Sequence, residues 1–168
     1  MAVFGVLISN RSFFPAHLVQ STREKLLKAL KEWGHEVVTL SPEDTTMGQT
    51  MTYEEARKCA KLFRDNMDRL DGIIVSLPNF GEETGIADAL KWSKCDVPIL
   101  IQACDDDFDK LQLENRRDAF CGKLSVCNNL YQYGIKYSLT QRHTCPVDGE
   151  EFKQDVDKFA SEIISSLK

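Results

Sequence analysis

Polar and aromatic side chains that can bind a polyhydroxylated molecule gather in a few loops of this sequence. They are Asn10 and Arg11 in one loop, Asn79, Phe80 and Glu82 in a second, and His143 in a third. Amide, guanidinium and carboxylate groups hydrogen-bond hydroxyls, and an aromatic ring can cover the carbon face of a sugar. The pattern suits a rim that binds a polyhydroxylated ligand such as a sugar. A structural alternative stays open, in which the asparagines make turns, Phe80 packs on a neighbour and Arg11 is solvated.

The first two loops each follow a run typical of a buried parallel strand. Residues 3–8 and 73–77 are short, apolar runs containing β-branched side chains, as expected of strands covered on both faces. Open α/β sheets bind ligands at the switch point, beyond the carboxyl ends of adjacent strands. We therefore expect these two loops to meet and to form the working surface.

The whole chain alternates between strand and helix patterns. Strands are predicted at residues 3–8, 35–40, 73–77, 97–103 and 135–140, and helices at 15–33, 52–70, 84–94, 115–133 and 148–167. Crossovers of this length make neighbouring strands parallel. The order predicts a three-layer, doubly wound α/β fold with a five-stranded parallel sheet of flavodoxin-like (Rossmann-like) order, in a single domain over residues 1–168.

Three helices carry specific patterns. Thr52 and Glu55 have the spacing of a capping box, which satisfies free amide groups at a helix start. The fourth helix has four residues on one face: Phe120, Leu124, Cys127 and Tyr131. The last helix repeats apolar residues at threes and fours: Phe152, Val156, Phe159, Ile163 and Leu167. These repeats have the period of an α-helix.

Composition and charge exclude several classes of partner. A net charge of −5 offers no basic field for a nucleic acid or an anionic membrane. Arg116 and Arg117, the densest basic pair, are interpreted as a solvated helix face. No positively charged leader precedes the apolar run at residues 3–8, and this run is too short to cross a bilayer. We therefore expect a cytoplasmic protein. The six cysteines show no Cys-x-x-Cys pair and are expected to be reduced thiols, several of them in the core.

Motifs for nucleotide and covalent chemistry are absent from the sequence. No Gly-x-Gly-x-x-Gly or Gly-Lys-Ser/Thr loop follows the first strand, and its loop is too bulky for a flavin phosphate. A phospho-receiver domain needs aspartates where Ser9 and Ser76 stand. No nucleophile elbow marks a triad. We therefore predict no catalytic residue and no bound cofactor within this chain.

A metal site has little support in the sequence. The three histidines, His17, His35 and His143, are scattered, without a carboxylate at ligand spacing. The acidic run at residues 105–107 could hold a hard cation through its oxygens, although a solvated acidic loop is the simpler interpretation.

Three segments carry a resemblance to a known family. They are GVLISNRSFFP at residues 5–15, SLPNFGEE at 76–83 and FCGKLSVCNN at 120–129. In this order they resemble the N-terminal domain of the L-fucose/L-arabinose isomerase family, and the likeness spans essentially the whole chain. The resemblance implies the first domain of a longer aldose–ketose isomerase, whose metal, usually manganese, is held by later domains.

The resemblance also implies a role for the loops. In that family the N-terminal domain leans over the active site of a neighbouring subunit in a trimer or hexamer and contacts the substrate there. An arginine after the first strand and an aromatic residue after the third supply those contacts, and the matching positions are Arg11 and Phe80. We expect a substrate-capping and assembly domain whose partners are the remaining domains and the neighbouring subunits. Two alternatives stay open: a free-standing small-molecule-binding or regulatory module, and a purely structural domain.

Overall fold

Five parallel strands form the centre of the molecule. The computed structural model describes residues 1–166 and contains β1 (Val3–Ile8), β2 (Glu36–Thr39), β3 (Gly72–Leu77), β4 (Ile99–Ala103) and β5 (Ser138–Leu139). Their order across the sheet is β2-β1-β3-β4-β5, and every neighbouring pair is parallel. This order reverses direction between β1 and β3, so the predicted flavodoxin-like topology is confirmed.

Five helices cover the two faces of this sheet. They are α1 (His17–Glu32), α2 (Tyr53–Asp65), α3 (Glu83–Ser93), α4 (Ala119–Gln132) and α5 (Glu150–Ser166), with a short 3₁₀ turn at Thr46–Gly48. One apolar cluster joins the sheet to α2, α3 and α4, and the other joins it to α1 and α5. The three-layer arrangement predicted from the sequence is therefore present.

The central strands are buried on both faces, which explains their continuous apolar sequence. In β1, Leu7 belongs to the cluster under α2 and α3, whereas Phe4, Val6 and Ile8 belong to the cluster under α1 and α5. Successive side chains of a strand point to opposite faces, so a strand covered on both sides has no polar face.

Two helix patterns predicted from the sequence are confirmed. Thr52 caps α2: its side chain accepts a hydrogen bond from the Glu55 amide, and the Glu55 side chain accepts one from the Thr52 amide in return. In α5 four members of the predicted stripe are buried: Phe152, Val156, Phe159 and Ile163. Leu167, its predicted last member, lies outside the described residues.

The fourth helix begins later than predicted, and the face predicted from its repeat points away from the sheet. It begins at Ala119 rather than near residue 115, because Asp118 adopts a left-handed conformation with φ of 50°. Phe120, Leu124 and Tyr131 do share a face, but that face points to solvent. The helix packs instead through a narrower stripe: Ala119, Gly122, Lys123, Val126 and Leu130. Small residues at its first turn let the backbone come close to the sheet.

The edge strand β5 is shorter than the predicted run of residues 135–140. The Ile135 amide still bonds to the Leu130 carbonyl, so the end of α4 uses the first residues of that run. β5 then pairs with β4 through Ser138 and Leu139 only. Within residues 1–166, no helix has the length and apolar character needed to cross a membrane.

Candidate functional site

The loops that follow β1 and β3 are joined at the switch point. Ile8 pairs with Ser76 at the ends of these two strands, so the following residues leave the sheet side by side. The Asn79 side-chain amide donates to the Asn10 side-chain oxygen, and both residues are buried. The Asn79 oxygen in turn accepts from the amides of Arg11, at 3.4 Å, and Gly81, at 3.2 Å. The predicted meeting of the two loops is therefore present.

The two asparagines hold the loops together from inside. The two side-chain amides bond to each other, and the Asn79 oxygen also accepts from the backbone of both loops. These bonds give the buried polar atoms hydrogen-bond partners, without which they would lower the stability of the fold. A second bond has the same effect, because the Glu82 amide donates to the buried Ser9 hydroxyl at 3.0 Å. Of the predicted rim, Asn10 and Asn79 thus form the support, and Arg11, Phe80 and Glu82 lie above it.

Arg11 lies over an aromatic ring and between two carboxylates. Its guanidinium carbon is 4.3 Å from the centre of the Phe80 ring, a cation–π distance. The same group forms an ion pair with Glu83, and its Nε is 3.6 Å from Glu82 Oε2. Arg11 Nε is enclosed and makes no hydrogen bond to any residue in the described part of the chain. About a fifth of the Arg11 side chain, 21%, reaches solvent.

The charges at this cluster do not cancel. One guanidinium faces two carboxylates, so the group of Arg11, Glu82 and Glu83 is negative when both acids are ionised. Partial burial raises the pKa of Glu82, while Arg11 opposes this shift and Glu83 adds to it. Glu82 Oε2 lies beyond hydrogen-bond distance of Arg11 Nε, and the Glu82 side chain is 30% exposed.

Phe13 and Phe14 extend the aromatic part of the cluster into solvent. The Phe80 ring is 5.9 Å from that of Phe14, which is 4.8 Å from that of Phe13. Phe13 is 74% exposed. Neither ring was among the site residues predicted from the sequence, nor was Glu83. Their positions beside Arg11 and Glu82 in the two loops were the available signal.

Arg117 fastens a third loop to this cluster, contrary to its interpretation as part of a solvated helix face. Its guanidinium donates to the Pro78 carbonyl at 2.6 Å and to the Thr22 hydroxyl at 3.4 Å, and its amide donates to Asp106. Arg116 fits the solvated description better, because it is exposed and forms an ion pair with Asp118. Sequence offers no means of telling two adjacent arginines apart when only one of them turns inward.

His143 lies beside α4. Its ring is 4.8 Å from the ring of Phe120, and its carbonyl accepts from the buried ammonium of Lys123 at 3.0 Å. Gly122, which lies between Phe120 and Lys123 in α4, packs on the backbone of Phe80. His143 is thus connected to the Arg11–Phe80 cluster through the first turn of α4.

The acidic run is used within its own loop. Asp106 accepts from the Arg117 amide, and Asp107 accepts from the Asp109 amide and pairs with Lys110. Among the described residues there is no group of three or more histidine, cysteine, aspartate or glutamate side chains placed to hold a metal ion. The described residues therefore do not fit a manganese site.

Three of the six cysteines are core residues. All six are free thiols, and Cys59, Cys104 and Cys145 are buried. Burial raises the pKa of the Cys59 and Cys145 thiols to about 12, so both stay protonated at neutral pH. The expectation of reduced thiols, several of them in the core, is confirmed.

A cavity of about 720 Å³ opens at the other end of the sheet, between α3, the start of β4 and the turn after α4. Arg11 and Phe80 do not line it. The Arg11–Phe80 cluster instead forms a partly exposed surface on two loops, which can cover one side of a ligand.

The sheet order and the joined loops after β1 and β3 define a flavodoxin-like α/β domain. A solved structure with a similar fold is FerB, a flavoenzyme NAD(P)H:(acceptor) oxidoreductase from Paracoccus denitrificans. The likeness has a TM-score of 0.55 and 12% sequence identity, and it covers 98% of this chain and 96% of that chain. At this identity it concerns the fold alone. No protein among the curated ones matches by sequence.

Membership of a family is shown by sequence. Residues 5–168 match the model of the N-terminal domain of fucose/sulfoquinovose isomerases. The chain belongs to this family, which confirms the resemblance carried by the segments at residues 5–15, 76–83 and 120–129.

Proposed function

We propose that this chain is the substrate-capping and oligomer-assembly domain of an aldose–ketose isomerase. In this proposal Arg11, Glu82 and Phe80 form one wall over a monosaccharide that is held in the metal-dependent site of a neighbouring subunit. The observation that carries the proposal is the Arg11–Phe80 stack at the switch point, in a chain that belongs to the fucose/sulfoquinovose isomerase family.

The cluster has the groups that one wall of a sugar site needs. The partly exposed Glu82 carboxylate can accept a hydrogen bond from a sugar hydroxyl, and the partly exposed Arg11 guanidinium can donate one. The Phe80 ring stacks on the Arg11 guanidinium, and the exposed ring of Phe13 offers an apolar face for sugar carbons. A second wall, a metal and an acid–base pair would come from other domains.

The native mass of the protein tests the proposal directly. The chain of 168 residues has a mass of 19.1 kDa. We expect an immunoblot of the native source to show a product several-fold heavier, with the metal site in its later domains. A native product of 19.1 kDa, or manganese-dependent aldose–ketose conversion by the 168-residue chain, would overturn the proposal.

A free-standing small-molecule-binding or regulatory module is the second candidate. It is favoured by one observation: Arg11, Glu82, Glu83 and Phe80 are already assembled within this chain. This candidate predicts saturable binding of a monosaccharide by the 168-residue chain, lost in Arg11→Ala and Phe80→Ala. The capping role predicts that the chain binds free sugar only weakly, because a single wall leaves most of the ligand in water. A titration followed by amide chemical shifts separates the two candidates.

A further inference from the structure

The outer face of α4 is unusual for a helix that faces solvent. Phe120 is 39% exposed, Leu124 59% and Tyr131 79%, and Cys127 between them is half-buried. These four positions follow one another at intervals of four, three and four residues, close to the ~3.6 residues of one helical turn. That spacing makes a continuous stripe along a helix, which is the pattern that packs against a second helix. We call this stripe the α4 seam.

The α4 seam also lacks the charges that normally keep a helix in water. The single charged residue of α4, Lys123, is buried and donates its hydrogen bonds to Thr140 and to the carbonyls of Arg142 and His143. The other exposed positions are neutral: Cys121, Asn128 and Gln132. Helices α1, α2 and α5 differ, because each has an exposed ion pair one turn apart: Lys28–Glu32, Lys61–Asp65 and Lys153–Asp157.

We propose that the α4 seam binds the α4 seam of a second copy of this chain, with the two helices antiparallel about a two-fold axis. The centre of the seam lies between Leu124 and Cys127. An antiparallel partner therefore places Phe120 opposite Tyr131, and Leu124 opposite Cys127. The same surface serves both copies, as a two-fold interface requires.

The absence of charge on the α4 seam makes it the surface on which a second copy can bind. The chain carries a net charge of −5, so two copies repel each other through most of their surfaces. The α4 seam and its neutral neighbours form a surface on which two identical chains can meet without placing like charges opposite each other. Leucine and aromatic side chains along the seam with amides beside them also match the apolar core and polar rim of known interfaces.

The exposed area is of the size that such an interface needs. Taking about 200 Å² for each full side chain, the exposed parts of Phe120, Leu124 and Tyr131 amount to roughly 350 Å². The exposed neutral neighbours Cys121, Asn128 and Gln132 enlarge this area towards the ~800 Å² per partner of a standard interface.

This inference rests on the assembly part of the proposed function and names the surface and the partner. It also connects the interface with the site. Phe120 contacts His143, and Gly122 packs on the backbone of Phe80. Pairing of two α4 helices would therefore support the loop that carries Phe80 through its contact with Gly122.

Sedimentation equilibrium of the 168-residue chain tests the pairing. We expect a concentration-dependent dimer at up to about 500 µM, and a dissociation constant at least about 100-fold higher in Leu124→Glu/Tyr131→Glu, because unpaired charges would be buried in the seam. Met67→Glu, at an exposed apolar residue outside α4, is the matched control and should dimerise like the wild type. A wild-type monomer throughout, as expected if a further domain or another protein covers the seam, would overturn the proposal. A dimer unaffected by the double substitution would do the same.

Disulfide cross-linking tests the antiparallel register. In a Cys121→Ser/Cys127→Ser background, which has no thiol left in α4, a mixture of Phe120→Cys and Tyr131→Cys chains should form cross-linked dimers on mild oxidation, while either chain alone and the background chain should not. Cross-linking of either chain alone would overturn the antiparallel arrangement. Dimerisation is measured without sugar, and Arg11→Ala should leave it unchanged. A failure of pairing is therefore distinguishable from a failure of sugar capping.

Discussion

The loops after β1 and β3 and the outer face of α4 depart from the usual distribution of residues in opposite directions. The loops bury polar groups, since Asn10, Asn79 and Ser9 are enclosed. The α4 seam exposes Leu124 and Tyr131 to water. Buried polar groups and exposed apolar surfaces are the informative exceptions in a folded protein, because ordinary packing explains neither.

The two regions differ in whether their unusual side chains already have partners within the chain. The buried polar groups of the loops bond to one another, so that region needs no partner to be stable, and its charged upper surface can receive a ligand. The α4 seam has no such internal compensation, because an exposed apolar side chain is satisfied only by another apolar surface. We therefore associate the loops with a small polar molecule and the seam with a protein.

Gly122 is the point at which the two regions touch, and its substitution should have the largest effect. A Cβ at this position would lie 1.8 Å from the Phe80 carbonyl oxygen, so α4 or the β3 loop has to move. We expect Gly122→Ala to lower the free energy of unfolding by about 3 kcal/mol or more, at the upper end for overpacking. Urea denaturation followed by circular dichroism measures this change.

Gly149→Ala is the matched control for Gly122→Ala. The nearest atom to a Cβ at position 149 is the Pro146 carbonyl oxygen at 3.4 Å, which is an ordinary contact. Gly149 precedes the first residue of α5 and its carbonyl accepts the first bond of that helix, a position where alanine is a weaker cap than glycine. We therefore expect this control to cost at most about 1 kcal/mol, well below Gly122→Ala. An equally small effect of Gly122→Ala would show that α4 does not press on the Phe80 loop, and the connection between the two regions would be lost.

Asn79→Ala should have the next largest effect, and it acts on the loops alone. The substitution removes the acceptor of the Arg11 and Gly81 amides and the donor to Asn10, all within a buried region. Polar groups left without partners in such a region cost about 1–3 kcal/mol, so we expect a loss of about 2 kcal/mol in the same denaturation experiment.

Asn128→Ala, on the exposed face of α4, is the control for Asn79→Ala and should change the stability very little. The Asn79→Ala chain should also keep its α4 pairing, since the seam is not altered. If Asn79→Ala were as harmless as Asn128→Ala, the inner support of the loops would have been assigned to the wrong residues.

The sequence was sufficient to predict the sheet and the meeting of the two loops. The apolar runs at residues 3–8 and 73–77 identified the central strands, because strands buried on both faces have a distinctive composition. Asn10, Arg11, Asn79 and Phe80 could be placed together, because topology alone brings the carboxyl ends of β1 and β3 to one edge.

Two features depended on tertiary contacts that the sequence does not encode locally. The repeat of Phe120, Leu124, Cys127 and Tyr131 has the helical period, but period alone does not say which face turns to the sheet. That choice is made by the small residues Ala119 and Gly122, which permit close approach, as Gly122 against Phe80 shows. The inward position of Arg117 could not be predicted for a similar reason, since its partner Pro78 lies 39 residues earlier in the chain.

The pH dependence of stability should give the smallest effect, and it concerns the uncompensated charge of the loops. Burial raises the pKa of Glu82 above its ordinary value of 4.5, against the influence of Arg11. The folded chain thus holds this proton more tightly than the unfolded chain. The resulting stabilisation is complete below the unfolded pKa and is lost as the pH rises through the folded pKa, in a window just above 4.5.

Glu82→Gln should remove this contribution, so its stability relative to the wild type should increase as the pH rises through that window. Chemical denaturation of both chains at several pH values from about 4 to 7 measures the difference. Glu114→Gln, at an exposed carboxylate before α4, controls for the loss of one negative charge. The effect is small because Glu82 is partly exposed and Arg11 offsets its burial. A difference that instead falls with rising pH would mean that Arg11 dominates, and that the loops are electrostatically satisfied without a ligand.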